Sequence, residues 1–357
     1  MRVRMNKILG SAVLTLILVG AGAQGGELHT FSFDKELASP ANPVLDISNT
    51  SGSIVITSQP SKTIKIQAIK RIKARNQEEA KKIADHIAID VTVQGSTVKV
   101  ETEFEDVKSE NFWEFLFGRK SGRSAWVEYQ VAVPVDCQLA VSATSADIDV
   151  RNMKAPVGIS CTSGDIQVHN LAGDLEMSVT SGDMILSDIE GMIQIDATSG
   201  DLRLEKLVGE LVYHSSSGDV QAENIHGDVE IETSSGDVQL EGMAGEVNIE
   251  ASSSEIMVKQ IEGGLSIETT SGDILVSSQK LSGKVYSLES SSGNIEFSMP
   301  TKEGGRLELE TASGTLRANL PVTVESISER RFSGYINKSG PDIIIRTTSG
   351  DVLLTGL

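Results

Sequence analysis

The chain has 357 residues, a net charge of −19 and an aromatic content of only 4%. Few aromatics argue against a thick globular core, because large rings supply much of the volume of such cores, whereas thin layered β structures need less. Residues 151–357 carry 14 Lys and Arg against 32 Asp and Glu, which argues against nucleic acid as a partner. An acidic excess of this size is more often a device for solubility than a binding signal.

Residues 1–23 have the pattern of a secretory signal peptide. A basic start, an uncharged apolar stretch and a small-residue cleavage site follow one another at Arg2–Lys7, Ile8–Gly20 and Ala21–Ala23. The apolar stretch is shorter than the ~20 residues of a membrane-spanning helix, so an uncleaved anchor is the less favoured alternative. We therefore expect export to the periplasm, the cell envelope or the extracellular space.

Residues 24–140 are predicted to form a β-rich head with one short helix. The helix is expected at Asn76–Ile87, because Asn76 can cap its first turn and acidic residues follow the cap. A hairpin is expected around Gln94–Ser96, and another strand at Trp126–Val133.

An aromatic and basic cluster lies within the head and is the candidate binding site. Its residues are Phe112, Trp113, Phe115, Phe117, Arg119 and Lys120. Three interpretations stay open: the rings pack as a small core of the head, they form an exposed loop, or the segment is disordered. Because Trp, Phe and Arg are favoured at contact surfaces, such a loop would touch a membrane surface or another envelope partner.

Residues 141–357 are dominated by a Ser-Gly-Asp sequence that recurs every 18 residues over much of its length. The glycines and aspartates are Gly164 and Asp165, Gly182 and Asp183, Gly200 and Asp201, Gly218 and Asp219, Gly236 and Asp237, Gly272 and Asp273, and Gly350 and Asp351. A second glycine often lies halfway, so the unit is a strand and a turn of nine residues, paired into 18. Thr50–Ile56 is an isolated copy in the head.

Apolar residues alternate along each nine-residue unit, as at Leu175, Met177 and Val179. This is strand periodicity with one apolar face. A single coil cannot bury that face, but coils stacked about 4.8 Å apart bury it between two sheets. The pattern predicts an all-β fold: a β-solenoid of about 18-residue coils, two strands per coil, with atypical C-terminal capping coils. The alternative is an antiparallel meander, which shares the period but leaves its apolar face uncovered.

The two cysteines, Cys137 and Cys161, lie in apolar strand contexts. Export permits a disulfide between them. Two cysteines do not make a disulfide framework, however, so buried free thiols are the favoured interpretation.

The order of these features resembles a known family. A signal peptide, a strand-rich head that ends in Val127–Pro134 and a run of Thr-Ser-Gly-Asp repeats are similar to the putative bacterial adhesins with TSGDI-type repeats, a domain of unknown function. The resemblance implies a β-solenoid and a cell-envelope or surface location, and it gives no catalytic residues to carry over. The repeat is interrupted at Ala146, Ser254, Glu255 and Thr315, so a ligand that needs an unbroken aspartate column is in doubt there.

The aspartate column is the first candidate for chemistry. Stacked carboxylates could recruit Ca²⁺, yet one carboxylate per coil is a poor source of the roughly six to eight oxygens that Ca²⁺ takes. Solvated turn caps are therefore the favoured interpretation, and neither a metal ligand nor a cofactor is assigned. The neighbouring hydroxyls lie in turns, unlike the flat threonine arrays of ice-binding solenoids.

The repeats show no pattern typical of an enzyme. His169, His214 and His226 do not recur in a column, and none has another His or Cys at metal-ligand spacing. Neither a nucleophile elbow nor a phosphate-binding loop is present in the sequence. Tight turns also leave no room for the cleft of a β-helical polysaccharide enzyme.

The sequence therefore predicts a non-enzymatic, exported envelope or surface protein, an adhesin-type binding scaffold with a rigid acidic solenoid. The aromatic cluster is its expected contact surface for an unidentified envelope ligand. An envelope-stress module that senses lipid or peptide through the same cluster is the alternative, and a carbohydrate-active enzyme is the third. The first two both require export and a contact surface, so the sequence does not separate them.

Overall fold

A computed structural model describes residues 26–104, 123–337 and 339–357. The predicted signal peptide and the aromatic cluster lie outside these residues. The chain divides into two compact units, the first ending at Asp165 and the second running from Ile166 to Leu357.

The first unit contains eight strands and one helix among its described residues. In chain order they are β1 Glu27–Ala38, β2 Val44–Gln59, β3 Thr63–Ala74, α1 Gln77–Asp85, β4 Ile87–Gln94, β5 Thr97–Phe104, β6 Ser124–Pro134, β7 Gln138–Met153 and β8 Val157–Ser163. Strand β3 pairs antiparallel with β1 and β6, and β4 pairs antiparallel with β5. Strand β2 runs parallel to β5, β6 and β7, and β7 runs parallel to β8.

The isolated repeat copy of the head lies in β2. Leu45 is opposite Leu139, and Gly52 is opposite Ala146, so the N-terminal and C-terminal halves of β2 pair in register with the corresponding halves of β7. Strand β2 is therefore the first coil. Among the described residues, one helix and four strands, β3 to β6, are inserted in the chain between β2 and its partner β7. The boundary predicted at residue 140 falls within β7 and stays a prediction.

The helix, hairpin and strand predicted for this unit are present, but α1 ends at Asp85 and Ile87 already belongs to β4. Asn76 caps α1, and its side chain accepts a hydrogen bond of 2.9 Å from the backbone N–H of Glu79. The Glu79 carboxylate in turn accepts the N–H of Arg75, which satisfies a second donor at the helix start. The β4–β5 hairpin turns at Gly95, which has a φ of 63°.

Both cysteines are buried and free, as the sequence favoured. Burial raises the pKa of Cys137 to about 11 and also raises the pKa of Cys161. Because the thiolate is the reactive form, both groups are poor nucleophiles in the folded protein.

The second unit begins with two parallel sheets built from alternate strands. Sheet A contains β9 Ile166–Ala172, β11 Met184–Glu190, β13 Leu202–Val208, β15 Val220–His226, β17 Val238–Ala244, β19 Ile256–Glu262, β21 Ile274–Ser277 and β23 Ile295–Met299. Sheet B contains β10 Leu175–Ser181, β12 Ile193–Ser199, β14 Leu211–Ser215, β16 Val229–Ser235, β18 Val247–Ser253, β20 Leu265–Ser271 and β22 Val285–Ser292.

The pairing confirms the predicted β-solenoid and excludes the antiparallel meander. Leu175 of β10 lies opposite Ile193 of β12 in a parallel ladder, one 18-residue coil apart. Successive strands of the chain therefore alternate between the sheets instead of pairing with each other. The coil formed by β9 and β10 contributes six inward side chains, each at most 2% exposed: Ile166, Val168, Leu171, Leu175, Met177 and Val179.

Sheet A has a corner that the sequence pattern does not predict. One residue near the end of each sheet A strand from β9 to β19 adopts a positive φ, and these residues recur at 18-residue intervals: Asn170, Asp188, Lys206, Asn224, Gly242 and Gln260. Asn, Asp and Gly tolerate this left-handed conformation better than other residues. The corner bends the strand, so the apolar positions shift from strict alternation to Ile166, Val168 and Leu171.

The C-terminal strands do not stack in the order of the sequence. They are β24 Gly305–Ser313, β25 Leu316–Asn319, β26 Thr323–Ile327, β27 Arg331–Ile336, β28 Asp342–Ser349 and β29 Val352–Gly356. Strand β28 pairs in parallel with both β22 and β24, and β29 pairs with both β23 and β25. The last coil is therefore inserted between two earlier coils, while β27 and β26 continue the sheet antiparallel beyond β24.

Charge pairing accompanies this insertion. The guanidinium of Arg346, in β28, lies 2.9 Å from a carboxylate oxygen of Glu289 and 3.5 Å from one of Glu308. These two glutamates belong to the strands on either side of β28. Burial alone would raise the pKa of Glu308, but Arg331 and Arg346 outweigh it and lower that pKa.

We expect Gly200→Ala to lower the free energy of unfolding by about 2–4 kcal/mol. Gly200 has a φ of 119°, and a Cβ there would collide with the carbonyl oxygen of Gly182 in the preceding coil. Gly158→Ala is the control, since its Cβ would meet only the carbonyl oxygen of Leu139, at 3.7 Å. Denaturant titration followed by circular dichroism measures both, and equal losses in the two variants would contradict the close-stacking account.

Candidate functional site

The parallel register places residues 18 apart in columns, and two kinds of column carry polar chemistry. The first kind lies at the turns and consists of the aspartates singled out in the sequence. The second lies on the outer face of sheet B, where alternate residues of each strand point to solvent.

At the Ser-Gly-Asp turns, each carboxylate accepts a backbone hydrogen bond from the next coil. The N–H of Asp201 donates to Asp183 at 3.1 Å, and the N–H groups of Asp219 and Asp237 donate to the preceding aspartates at 2.9 Å. Where the repeat departs from Ser-Gly-Asp, the same bond persists, since the N–H of Glu255 donates to Asp237 at 3.0 Å. We name this column the aspartate ladder; one oxygen of each of these carboxylates is used to satisfy the backbone.

The aspartate ladder extends through the inserted C-terminal coil. The N–H of Asp351 donates to the side-chain oxygen of Asn294 at 3.0 Å, and the carboxylate of Asp351 accepts the N–H of Thr315 at 2.8 Å. The hydrogen bond from Thr315 lowers the pKa of Asp351. Asn294 shows that an amide oxygen can occupy this column as well as a carboxylate.

On the outer face of sheet B, carboxylates and hydroxyls line an open groove of about 490 Å³. We name it the acidic groove; its acidic wall is the column Asp196, His214, Glu232, Glu250 and Glu268, and hydroxyl groups such as those of Ser216, Ser234 and Thr270 face it. Among the described residues that line it, none is Lys or Arg. Stacked carboxylates about 4.8 Å apart repel by roughly 0.9 kcal/mol per pair in water, so this wall attracts cations.

Two buried threonines of sheet B lie close to the acidic groove. Thr233 is 5% exposed and donates its hydroxyl to the carbonyl of Ser235 at 3.1 Å, and Thr269 makes the equivalent bond at 3.2 Å. These hydroxyls hold the ends of the strands against the turn.

His214 is the only histidine on the acidic wall among the residues that line the groove. Its Nδ1 lies 3.1 Å from a carboxylate oxygen of Asp196, and its Nε2 lies 3.9 Å from one of Glu232. In the sequence His214 looks isolated, because no second His or Cys lies at metal-ligand spacing from it. The signal that identifies the cluster is the 18-residue step from Asp196 to His214 to Glu232.

The aromatic cluster predicted as the binding site, Phe112 to Lys120, lies outside the described residues. Its exposure and its contacts stay predictions. The nearby Trp126 is described, and its indole N–H donates to the carboxylate of Glu128 at 3.0 Å.

Comparison with models of protein families identifies the family of the chain. The family model Toastrack DUF4097 matches residues 45–246 and 209–355. The chain belongs to the Toastrack DUF4097 family. This result confirms the resemblance drawn from the repeats, and its first match begins in β2, which the structure identifies as the first coil.

Two solved structures are similar to this Toastrack chain. A putative cell adhesion protein from Clostridium sporogenes ATCC 15579 has 11% identity and a TM-score of 0.20, covering 92% of this chain and 100% of its own. A putative adhesin from Parabacteroides merdae ATCC 43184 has 12% identity and a TM-score of 0.25, covering 74% of this chain and 95% of its own. No curated protein matches the chain. Within the described residues, no helix has the length and apolar character to cross a membrane.

We expect the Asp351 carboxylate to make part of the stability of this Toastrack chain depend on pH. Since the folded-state pKa is lowered, the ionised group stabilises the fold above its unfolded-state pKa of about 3.9, and this contribution disappears as the pH falls through the folded-state value. Asp351→Asn keeps an oxygen acceptor for Thr315, as Asn294 does for Asp351, but does not titrate.

Thermal unfolding between pH 6 and pH 2.5 tests this. The difference in melting temperature between wild type and Asp351→Asn should shrink or reverse in favour of the variant below about pH 4. A difference that is constant over the whole range would show that the hydrogen bond does not depend on ionisation.

Proposed function

We propose that the chain is a non-enzymatic binding scaffold of the cell envelope or surface, an adhesin-type protein exported by its N-terminal signal peptide. The observation that carries the proposal is the acidic groove, in which the register of the coils fixes carboxylates and hydroxyls at equal intervals. A site with such a repeat suits a ligand that itself repeats, since each coil can offer the same contacts to the next unit of a polymer.

The chemistry of the groove defines the ligand class. Carboxylates bind ammonium groups and cations, and hydroxyls donate to and accept from sugar-like hydroxyls. Envelope polymers that carry amino and hydroxyl groups fit both walls. Because Glu232, Glu250 and Glu268 are exposed, their attraction for such a polymer is screened by salt and depends on several contacts at once.

The predicted aromatic cluster supplies a second contact surface in this proposal. Its Phe, Trp and Arg side chains suit a membrane surface or an apolar patch of a partner, whereas the acidic groove suits cationic groups. The two surfaces therefore differ in salt dependence, because apolar burial is not screened and charge attraction is.

Co-sedimentation of the mature protein with isolated cell envelopes tests the proposal. The groove variant is Glu250→Gln with Glu268→Gln, which removes two stacked charges from β18 and β20. The matched control is Glu223→Gln with Glu241→Gln, two carboxylates stacked in the same way on sheet A. The cluster variant replaces Phe112, Trp113, Phe115 and Phe117 with Ser.

We expect wild type and the sheet A control to pellet with envelopes at 50 mM salt. The groove variant should bind several-fold more weakly, and the cluster variant should lose the part of the binding that resists 500 mM salt. A wild-type protein that stays in the supernatant would contradict the binding function. Groove and cluster variants that both pellet like wild type would contradict the assignment to these two surfaces.

A further inference from the structure

Three neighbouring strands of sheet B bring a histidine between two carboxylates. Asp196 of β12 pairs in register with His214 of β14, and His214 pairs with Glu232 of β16. All three side chains point outward, with 60%, 38% and 53% of their surface exposed. The column therefore holds carboxylate, imidazole and carboxylate at successive coils.

The hydrogen bond to Asp196 fixes how the neutral imidazole presents itself. A carboxylate only accepts hydrogen bonds, so the contact of 3.1 Å requires Nδ1 to carry the proton. The neutral ring then has a bare lone pair on Nε2, and this nitrogen lies 3.9 Å from a carboxylate oxygen of Glu232. Two electron-rich atoms face each other, an arrangement that a cation between them would stabilise.

A third donor completes the arrangement. Glu230 lies two residues before Glu232 on the same outer face of β16. One ligating atom each from His214, Glu230 and Glu232 lie within 4.8 Å of one another. An imidazole that gives its other N–H to a carboxylate is the usual form of a metal-binding histidine, because the carboxylate orients the ring and increases its basicity.

We propose that His214, Glu230 and Glu232 bind a first-row divalent transition ion of the Zn²⁺ type, with Asp196 as the outer carboxylate that orients His214. One nitrogen and two carboxylate oxygens suit such an ion, whereas Ca²⁺ takes roughly six to eight oxygens. Zinc requires each of the three ligand atoms to lie ~2.0–2.2 Å from the ion, and rotation of the exposed glutamate side chains would bring them to this distance. Water fills the fourth position, which leaves the ion open to a ligand in the acidic groove.

The surroundings favour the ion over an internal ion pair. Glu250 and Glu268 continue the acidic wall, and the described residues that line the groove include neither Lys nor Arg to compete. The site is exposed, so we expect micromolar rather than nanomolar affinity. Ion binding does not depend on attachment to envelopes. Either proposal, the ion site or the envelope-binding function, can therefore be wrong while the other holds.

Calorimetric titration of the full mature chain with Zn²⁺ at pH 7, in a buffer that does not chelate, tests the site. The decisive variants are His214→Ser, which copies Ser178 of the same column, and Glu232→Gln. The matched control is His169→Ala, since the Nδ1 of His169 makes the same 18-residue contact with a hydroxyl, that of Ser187, at 2.7 Å. Asp196→Asn tests the orienting carboxylate.

We expect one Zn²⁺ per chain in wild type and in His169→Ala. Binding should weaken at least tenfold in His214→Ser and in Glu232→Gln, and about tenfold in Asp196→Asn. Ca²⁺ in tenfold excess should not displace the ion. Circular dichroism checks the fold of each variant, and if His214→Ser does not fold, Glu230→Gln and Glu232→Gln carry the comparison. Wild type that binds no Zn²⁺, or a folded His214→Ser that binds it equally well, would overturn the site.

Discussion

The parallel hydrogen bonding of one coil to the next is the interaction on which this molecule depends. Each strand pairs with the strand one coil away, as Leu175 does with Ile193, so every position of the repeat stacks on its own copy. The apolar positions then form two inner faces that bury each other. A shift by one residue would turn all these side chains outward, so the apolar pattern strongly specifies the register.

The same register determines what the surface can do. Like residues stack on like residues, which accumulates charge in the aspartate ladder and on the wall of the acidic groove. In the ladder, hydrogen bonds from backbone N–H groups of the next coil offset the repulsion, as between Asp219 and Asp237. On the groove wall, Glu250 and Glu268 face solvent, and neither Lys nor Arg lines the groove in the described part of the chain, so that wall attracts cations. The aspartate ladder thus contributes to stability, whereas the groove wall carries the proposed function.

The sequence predicted the coil because glycine spacing and apolar alternation are local signals that repeat. It also predicted α1, whose cap and first turn are local. It did not predict the insertion of β28 and β29 between earlier coils. The motif at Thr347–Asp351 is the same as in the other coils, so it does not indicate which strands will pair with it. The left-handed corner was missed because its column mixes Asn170, Asp188 and Lys206. His214 looked isolated because its partners are carboxylates one coil away on either side, and not a second His or Cys nearby in the chain.

Disulfide formation between engineered cysteines tests the parallel coil most directly. Ser178 and Asp196 are register partners in the structure, whereas Ser178 and Ser187 would face each other in an antiparallel meander with a two-residue turn at Gly182 and Asp183. Parallel partners lie about 4.8 Å apart, within the range that a disulfide bridges. After mild oxidation, mass spectrometry should find an intramolecular disulfide in Ser178→Cys with Asp196→Cys and none in Ser178→Cys with Ser187→Cys. The reverse result would contradict the coil, and with it the groove and the ion site.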